Sequence, residues 1–74
     1  MRAQTTEAIG HFEAALKARP GYPEAHNYLG SALYRQGRAG EAIREFQEAL
    51  KLKPDYAEAR KNLNAVLAAQ RGKS

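Results

Sequence analysis

The residue types that most often carry chemistry in proteins are sparse in this chain. Its two histidines, His11 and His26, fall in different predicted helices, and no cysteine accompanies them, whereas a zinc site needs several clustered ligands. Ser31 has no histidine or aspartate at a fixed spacing that would activate it as a nucleophile. The six glycines do not form the GxxxxGK[ST] motif of a phosphate-binding loop. We therefore expect no enzymatic activity, no metal site and no cofactor.

Length and charge restrict the remaining classes. The 74 residues predict a single small domain over residues 1–74. The longest apolar run, Ala65–Ala69, spans five residues, too few for a membrane span, and the start, MRAQTTEAIG, lacks the apolar segment of a signal peptide. We therefore expect a cytoplasmic protein without membrane contact.

The net charge of +4 is unevenly distributed, because residues 57–74 carry +3 of it. A basic segment could contact acidic proteins or nucleic acid. Lys and Arg also suit the last turn of a helix, and we favour that interpretation. Nucleic-acid binding is a further possibility by analogy with helical repeats that read RNA, whose period is slightly longer than the 34 residues that separate Pro20 from Pro54 here. The shorter period of this chain, which brings Pro20 and Pro54 to matching ends, argues against nucleic-acid binding.

The chain repeats itself. Residues 7–20 read EAIGHFEAALKARP and residues 41–54 read EAIREFQEALKLKP. When residues 7–40 are aligned with 41–74, 14 of 34 positions are identical. A period of this length indicates stacked supersecondary units. Because one unit cannot bury its apolar face alone, neighbouring units must cover it.

Within each unit the apolar residues recur with the period of an α-helix. In residues 41–53 they fall at spacings that place them on one helix face; they are Ala42, Ile43, Phe46, Ala49 and Leu50. In residues 24–36 a second stripe consists of Ala25, Leu29, Ala32 and Leu33. Each predicted helix therefore has a face that must be buried against a neighbour.

Glycine, proline and capping residues indicate the helix ends. Gly37 and Gly40 bracket a link where one helix stops and the next begins. Pro23 suits the first position of a helix, and Asp55 and Glu58 have the spacing of a capping box. The predicted helices are at about 5–19, 24–36, 41–53 and 57–70. Short links predict antiparallel neighbours, with a core of Phe12, Leu16, Leu29, Leu33, Phe46, Leu50 and Leu63.

These features resemble the tetratricopeptide repeat. Residues 23–56 carry its pattern as His26, Leu29, Gly30, Leu33, Ala42, Phe46, Ala49 and Pro54. Residues 1–22 match the second half of a unit, and residues 57–74 match the first half. The resemblance implies an all-α fold, a short α-solenoid of four helices that pair as antiparallel hairpins. Asn64 stands where the full repeat has Gly30, so the last helix should not approach a further helix as closely.

The resemblance also implies a non-catalytic protein–protein interaction module. In this family the first helix of each unit lines a concave face that holds a peptide or a partner helix. The residues carried over to that face are Glu24, Asn27, Tyr28, Ser31, Tyr34, Arg35, Lys61 and Asn62, with Glu58, Ala65 and Ala68 beside them. We expect a protein or peptide partner.

An alternative interpretation is a minimal or engineered repeat fragment that mainly self-associates. Each end helix lacks a partner and should expose an apolar stripe: Ile9, Phe12 and Leu16 at one end, Leu63, Val66 and Leu67 at the other. Head-to-tail contact would give a homo-oligomer. Dimers are expected ahead of filaments, because Asn64 and the basic C-terminal segment oppose unlimited stacking.

Overall fold

A computed structural model describes residues 2–72, and these residues form four α-helices. Their bounds are α1 Arg2–Ala18, α2 Pro23–Arg35, α3 Ala39–Leu52 and α4 Ala57–Arg71. The predicted all-α class is confirmed, and most predicted helix ends are within two residues of those observed. Each helix packs on the next, and α2 also contacts α4. With only three or four residues in each connection, successive helices are antiparallel.

The link between α2 and α3 is closed by a glycine, as predicted. Gly37 has a φ of +81°, a left-handed conformation that glycine adopts without a steric penalty. The Gly37 N–H donates to the Tyr34 carbonyl at 2.9 Å, and the Arg38 N–H donates to the Leu33 carbonyl at 3.0 Å. This pair of bonds is the Schellman motif, which satisfies the last carbonyls of a helix. Gly40 lies just inside α3 instead of before it.

The turns that precede α2 and α4 repeat each other. Tyr22 and Tyr56 are the N-cap residues, both with extended backbone. The Arg19 guanidinium lies 4.5 Å from the centre of the Tyr22 ring, and the Lys53 ammonium lies 5.0 Å from that of Tyr56. Such cation–π contacts help to fix the turn. Pro23 occupies the first turn of α2, as predicted.

The predicted capping box at Asp55 and Glu58 is wrong. Helix α4 begins at Ala57 with Tyr56 as its N-cap, and no side chain caps it. The Tyr56 side chain is buried, and burial of its ring fixes the entry to α4. Asp55 remains exposed in the turn.

The predicted core is confirmed. Leu29, Leu33, Phe46, Leu50 and Leu63 belong to one buried cluster, and the two remaining predicted residues, Phe12 and Leu16, are partly buried against it.

Gly30 allows the close approach of α2 and α3, because a Cβ atom there would lie 2.7 Å from the Phe46 ring. Atoms at that separation overlap, so glycine is required if the ring is to stay in place.

Candidate binding clefts on either side of helix α2

A buried amide connects α2, α4 and the turn between α3 and α4. Asn27 is only 1% exposed. Its Nδ2 donates to the Tyr56 hydroxyl at 3.3 Å, and its Oδ1 accepts from Asn62 Nδ2 at 3.0 Å. Within residues 2–72, no buried side-chain nitrogen or oxygen lacks a partner. Asn27 was predicted to line the binding face, and that placement is wrong because its amide is used inside the fold.

The Tyr56 hydroxyl completes this network in a poorly hydrated position. Burial raises the pKa of Tyr56, while the hydrogen bond donated by Asn27 acts in the opposite direction and is the smaller effect. The neutral phenol is therefore the form that the fold favours. Tyr56 thus contributes to the buried network that holds α2 to the turn before α4.

His26 also uses both ring nitrogens within the fold. Its Nδ1 lies 2.7 Å from Glu45 Oε1, and its Nε2 lies 3.0 Å from the carbonyl of Pro20. These bonds join α2 to α3 and to the turn that precedes α2. Among the described residues, no cluster of three His, Asp or Glu side chains could hold a metal ion.

One open cleft lies between α2 and α4. Its volume is about 260 Å³. Its lining residues are Ser31, Tyr34, Arg35, Phe46, Asn62, Ala65 and Val66. Four of the predicted binding residues therefore come together here. Tyr34 is 42% exposed, and Asn62 connects the cleft to the buried amide of Asn27.

A second open cleft lies between α1 and α2 and was not anticipated from the sequence. Its volume is about 300 Å³, and its lining residues are Gln4, Thr5, Ala8, Phe12, Tyr28, Ser31, Ala32 and Arg35. The Phe12 and Tyr28 rings lie 5.7 Å apart and tilted within it. Ser31 and Arg35 line both clefts. Tyr28, which is 45% exposed, therefore contributes to a different cleft from Tyr34.

The other two residues predicted for the binding face lie outside both clefts. Glu24 is half-buried in the first turn of α2, and Lys61 is exposed on α4. Neither lines the α1/α2 cleft or the α2/α4 cleft.

The predicted apolar stripes at the two ends are largely wrong. Ile9, Leu63 and Val66 are buried in the core cluster. Phe12 and Leu16 are half-buried, and Leu67 alone of the six is clearly exposed, at 40%. The cause is that α1 packs on α2, and α4 packs on α3 and α2. The surface left for self-association is smaller than expected.

Arg35 places a positive charge at both clefts. Within the part of the chain that the structure describes, Arg35 makes no ion pair. None of the described helices has the length and apolar character needed to cross a membrane.

Comparison with known proteins agrees with the repeat architecture. The family model for the tetratricopeptide repeat matches residues 2–57, which include α1, α2 and α3. No curated protein sequence matches the chain. A match over more than half of the chain, together with helices that recur in the register of the sequence repeat, shows that this chain belongs to the tetratricopeptide repeat family.

Proposed function

We propose that this chain is a non-catalytic protein-interaction module that holds an extended peptide in the α2/α4 cleft. Tetratricopeptide repeats generally mediate protein–protein interaction. The observation that carries the proposal is the convergence of Ser31, Tyr34, Arg35 and Asn62 on one open cleft. These four residues come from two helices and from two repeat units.

The chemistry of the cleft fits a peptide with an acidic residue. Arg35 has no ion pair among the described residues, so its guanidinium is available to a carboxylate. Asn62 uses its Nδ2 on Asn27, which leaves its Oδ1 to accept a peptide N–H. Tyr34 and Val66 provide an aromatic and an apolar wall. A peptide that combines these groups would find a partner for each.

A peptide-display selection against the whole chain tests this proposal. We expect selected peptides to be acidic, and we expect Tyr34→Ala and Arg35→Ala to weaken their binding by at least about tenfold. Both side chains are exposed, so the melting temperature should remain nearly unchanged. Arg44→Ala, on an exposed position of α3, is the matched control. Binding that is lost in Arg44→Ala but kept in Tyr34→Ala would refute the α2/α4 cleft as the site.

A further inference from the structure

Helix α1 carries the sequence of a helix that is covered on two sides, but the described residues cover it on one side only. In α3, Ala42, Phe46 and Ala49 are 0%, 1% and 0% exposed. The same residue types occur 34 positions earlier as Ala8, Phe12 and Ala15, and each of these is only half-buried. Among the described residues, α3 packs on both α2 and α4, whereas α1 packs on α2 alone.

The repeat register identifies what α1 lacks. When residues 7–40 are aligned with 41–74, α1 corresponds to α3 and α2 corresponds to α4. The contact of α1 with α2 is therefore the counterpart of the contact of α3 with α4. The missing neighbour is the counterpart of α2. No helix among residues 2–72 occupies that position.

The two clefts support the same conclusion. Four residues of the α1/α2 cleft have repeat counterparts that line the α2/α4 cleft: Phe12 and Phe46, Tyr28 and Asn62, Ser31 and Ala65, Ala32 and Val66. In the α2/α4 cleft, α2 forms the opposite wall through Ser31, Tyr34 and Arg35. The two clefts therefore occupy equivalent positions in the repeat. Among the described residues, only the α2/α4 cleft has a helix in the α2 position along its opposite wall.

We propose that this face of α1, together with the α1/α2 cleft, binds an acidic amphipathic helix of a partner protein in the position that α2 occupies on α3. We call this surface the helix seat and define it by Ala8, Phe12, Ala15 and the residues of the α1/α2 cleft. It shares Ser31 and Arg35 with the α2/α4 cleft proposed above, but Tyr34 lines only the α2/α4 cleft and therefore distinguishes the two.

The partner helix needs a glycine where it crosses Phe12. In the α2–α3 pair a Cβ atom on Gly30 would lie only 2.7 Å from the Phe46 ring. Phe12 is the counterpart of Phe46. A larger residue at the crossing point would keep the helix from reaching the flanking alanines.

The charge of the partner follows from the same register. In the α2–α3 pair His26 bonds to Glu45 at 2.7 Å. The counterpart of Glu45 in α1 is His11, which is exposed. A partner helix with Glu at the His26 position would form a His–Glu pair with His11. In this pair α1 would supply the histidine and the partner helix the glutamate. Arg35, which has no ion pair within the described residues, offers a second contact to a carboxylate.

A second copy of this chain fits the helix seat poorly. The helix it could offer at its end is α4, in which Asn64 stands at the Gly30 position and Arg60 at the His26 position. Asn64 would collide with Phe12, and Arg60 would face His11 instead of offering it a carboxylate. The occupant is therefore a different helix.

Synthetic peptides based on residues 22–37 test the proposal on the whole chain. The parent peptide, YPEAHNYLGSALYRQG, is modified by His26→Glu to meet His11. We expect this peptide to bind, and we expect an added Gly30→Asn change to weaken binding by at least about tenfold. Fluorescence anisotropy of labelled peptides provides the measurement. Equal binding of the Gly and Asn peptides would overturn the proposal.

A charge exchange on the protein locates the bound peptide. His11→Glu should weaken the His26→Glu peptide and strengthen the parent peptide, because it recreates the pair seen between α2 and α3. His11 is exposed, so circular dichroism should show an unchanged fold. If the His11→Glu protein shows the same preference between the two peptides as the wild type, the peptide displaces α2 from α3 and the helix seat is rejected. Tyr34→Ala should leave peptide binding intact, which separates this test from that of the α2/α4 cleft.

Self-association provides the last outcome of the experiment. If the unmodified chain forms dimers that the peptide dissociates, then a second copy occupies the seat and a partner helix is rejected. We expect instead that the chain stays at its monomer mass of 8.2 kDa until the peptide is added, and that the mass then rises by one peptide.

Discussion

Gly30 and Gly10 show how the same residue type has different roles inside two helices. A Cβ atom on Gly30 would meet the Phe46 ring at 2.7 Å, whereas a Cβ atom on Gly10 has nothing within 4 Å. Phe46 is fully enclosed, so its ring cannot move aside without disturbing the core. At Gly30 glycine allows the helices to pack, and at Gly10 it only weakens helix formation.

We therefore expect opposite effects of alanine at these two positions. Gly10→Ala should raise the free energy of unfolding by up to about 1 kcal/mol, the helix-propensity difference. Gly30→Ala gains the same term but adds overpacking of about 1–3 kcal/mol, so it should lower stability. Urea denaturation of both variants provides the comparison. Equal stabilisation by the two changes would show that α2 and α3 are not in close contact at Gly30.

The buried Tyr56 hydroxyl should make stability depend on pH in the alkaline range. Burial raises the pKa of Tyr56 above its ordinary value of 10.0, so the native state holds the phenol proton more tightly than the unfolded chain does. This contribution is complete below the ordinary pKa and is lost as the pH rises through the raised pKa. Tyr56→Phe should flatten the loss of stability above about pH 10.

The control for that measurement is Tyr34→Phe, because the Tyr34 ring is 42% exposed. Thermal melts at neutral and alkaline pH should show the wild-type pH dependence in Tyr34→Phe. Tyr56→Phe should also melt lower at neutral pH, since the Asn27 amide loses a partner for its Nδ2. A Tyr56→Phe variant with wild-type pH dependence would exclude Tyr56 as the cause.

At this scale the sequence predicts residues whose role is set by the backbone. Gly37 and Pro23 were placed correctly because a left-handed turn and a helix start each favour one residue type. Asn27 was misplaced for a physical reason. It is two helical turns from Tyr34 on the same predicted face, and only Tyr56 and Asn62, distant in sequence, supply the bonds that keep its amide buried.

At the scale of helices, Phe12 and Phe46 make a matched pair. They are repeat counterparts, but Phe46 is 1% exposed and Phe12 is half-buried. Phe46→Ala should cost about 3–5 kcal/mol and unfold so small a domain. Phe12→Ala should cost less, since its ring already contacts water. Chemical denaturation monitored by circular dichroism checks both values, and equal losses would mean that α1 is covered as fully as α3.

The four helices were predictable because the period of the α-helix and the longer period of the sequence repeat agree along the chain. The exposure of residues on the end helices could not be predicted from the sequence. Periodicity shows that α1 has an apolar face, but it cannot show that Ile9 is buried while Ala8 and Ala15 stay half-buried. The packing of neighbouring helices decides how that face is divided.

At the scale of the whole molecule the chain forms a thin slab, with extents of 38 × 32 × 15 Å. A slab of this kind has a helix face at each end that no described helix covers. In repeat proteins such ends are closed by polar residues. Here Asn64 and Arg60 serve that purpose on α4, whereas α1 keeps Ala8, Phe12 and Ala15. The two ends of the slab are therefore not equivalent, since α4 presents polar residues there and α1 presents apolar ones.

This inequality predicts how the chain can be made to associate. The double variant Arg60→Glu/Asn64→Gly gives α4 the two features that the helix seat requires, a glycine to cross Phe12 and a carboxylate to meet His11. We expect it to associate head to tail, a heterologous contact that can extend from copy to copy. The wild-type chain should stay at 8.2 kDa over a wide range of concentration, and light scattering measures both masses.

A third substitution tests whether this association uses the helix seat. Adding His11→Glu to the double variant should reverse the association, because the introduced carboxylate on α4 would then face a second carboxylate on α1. His11 is exposed, so its replacement should leave the fold intact, which circular dichroism checks. Association that persists in the triple variant would place the contact elsewhere on the slab. A double variant that remains monomeric at every concentration would show that α1 does not accept a helix in the register of α2 on α3.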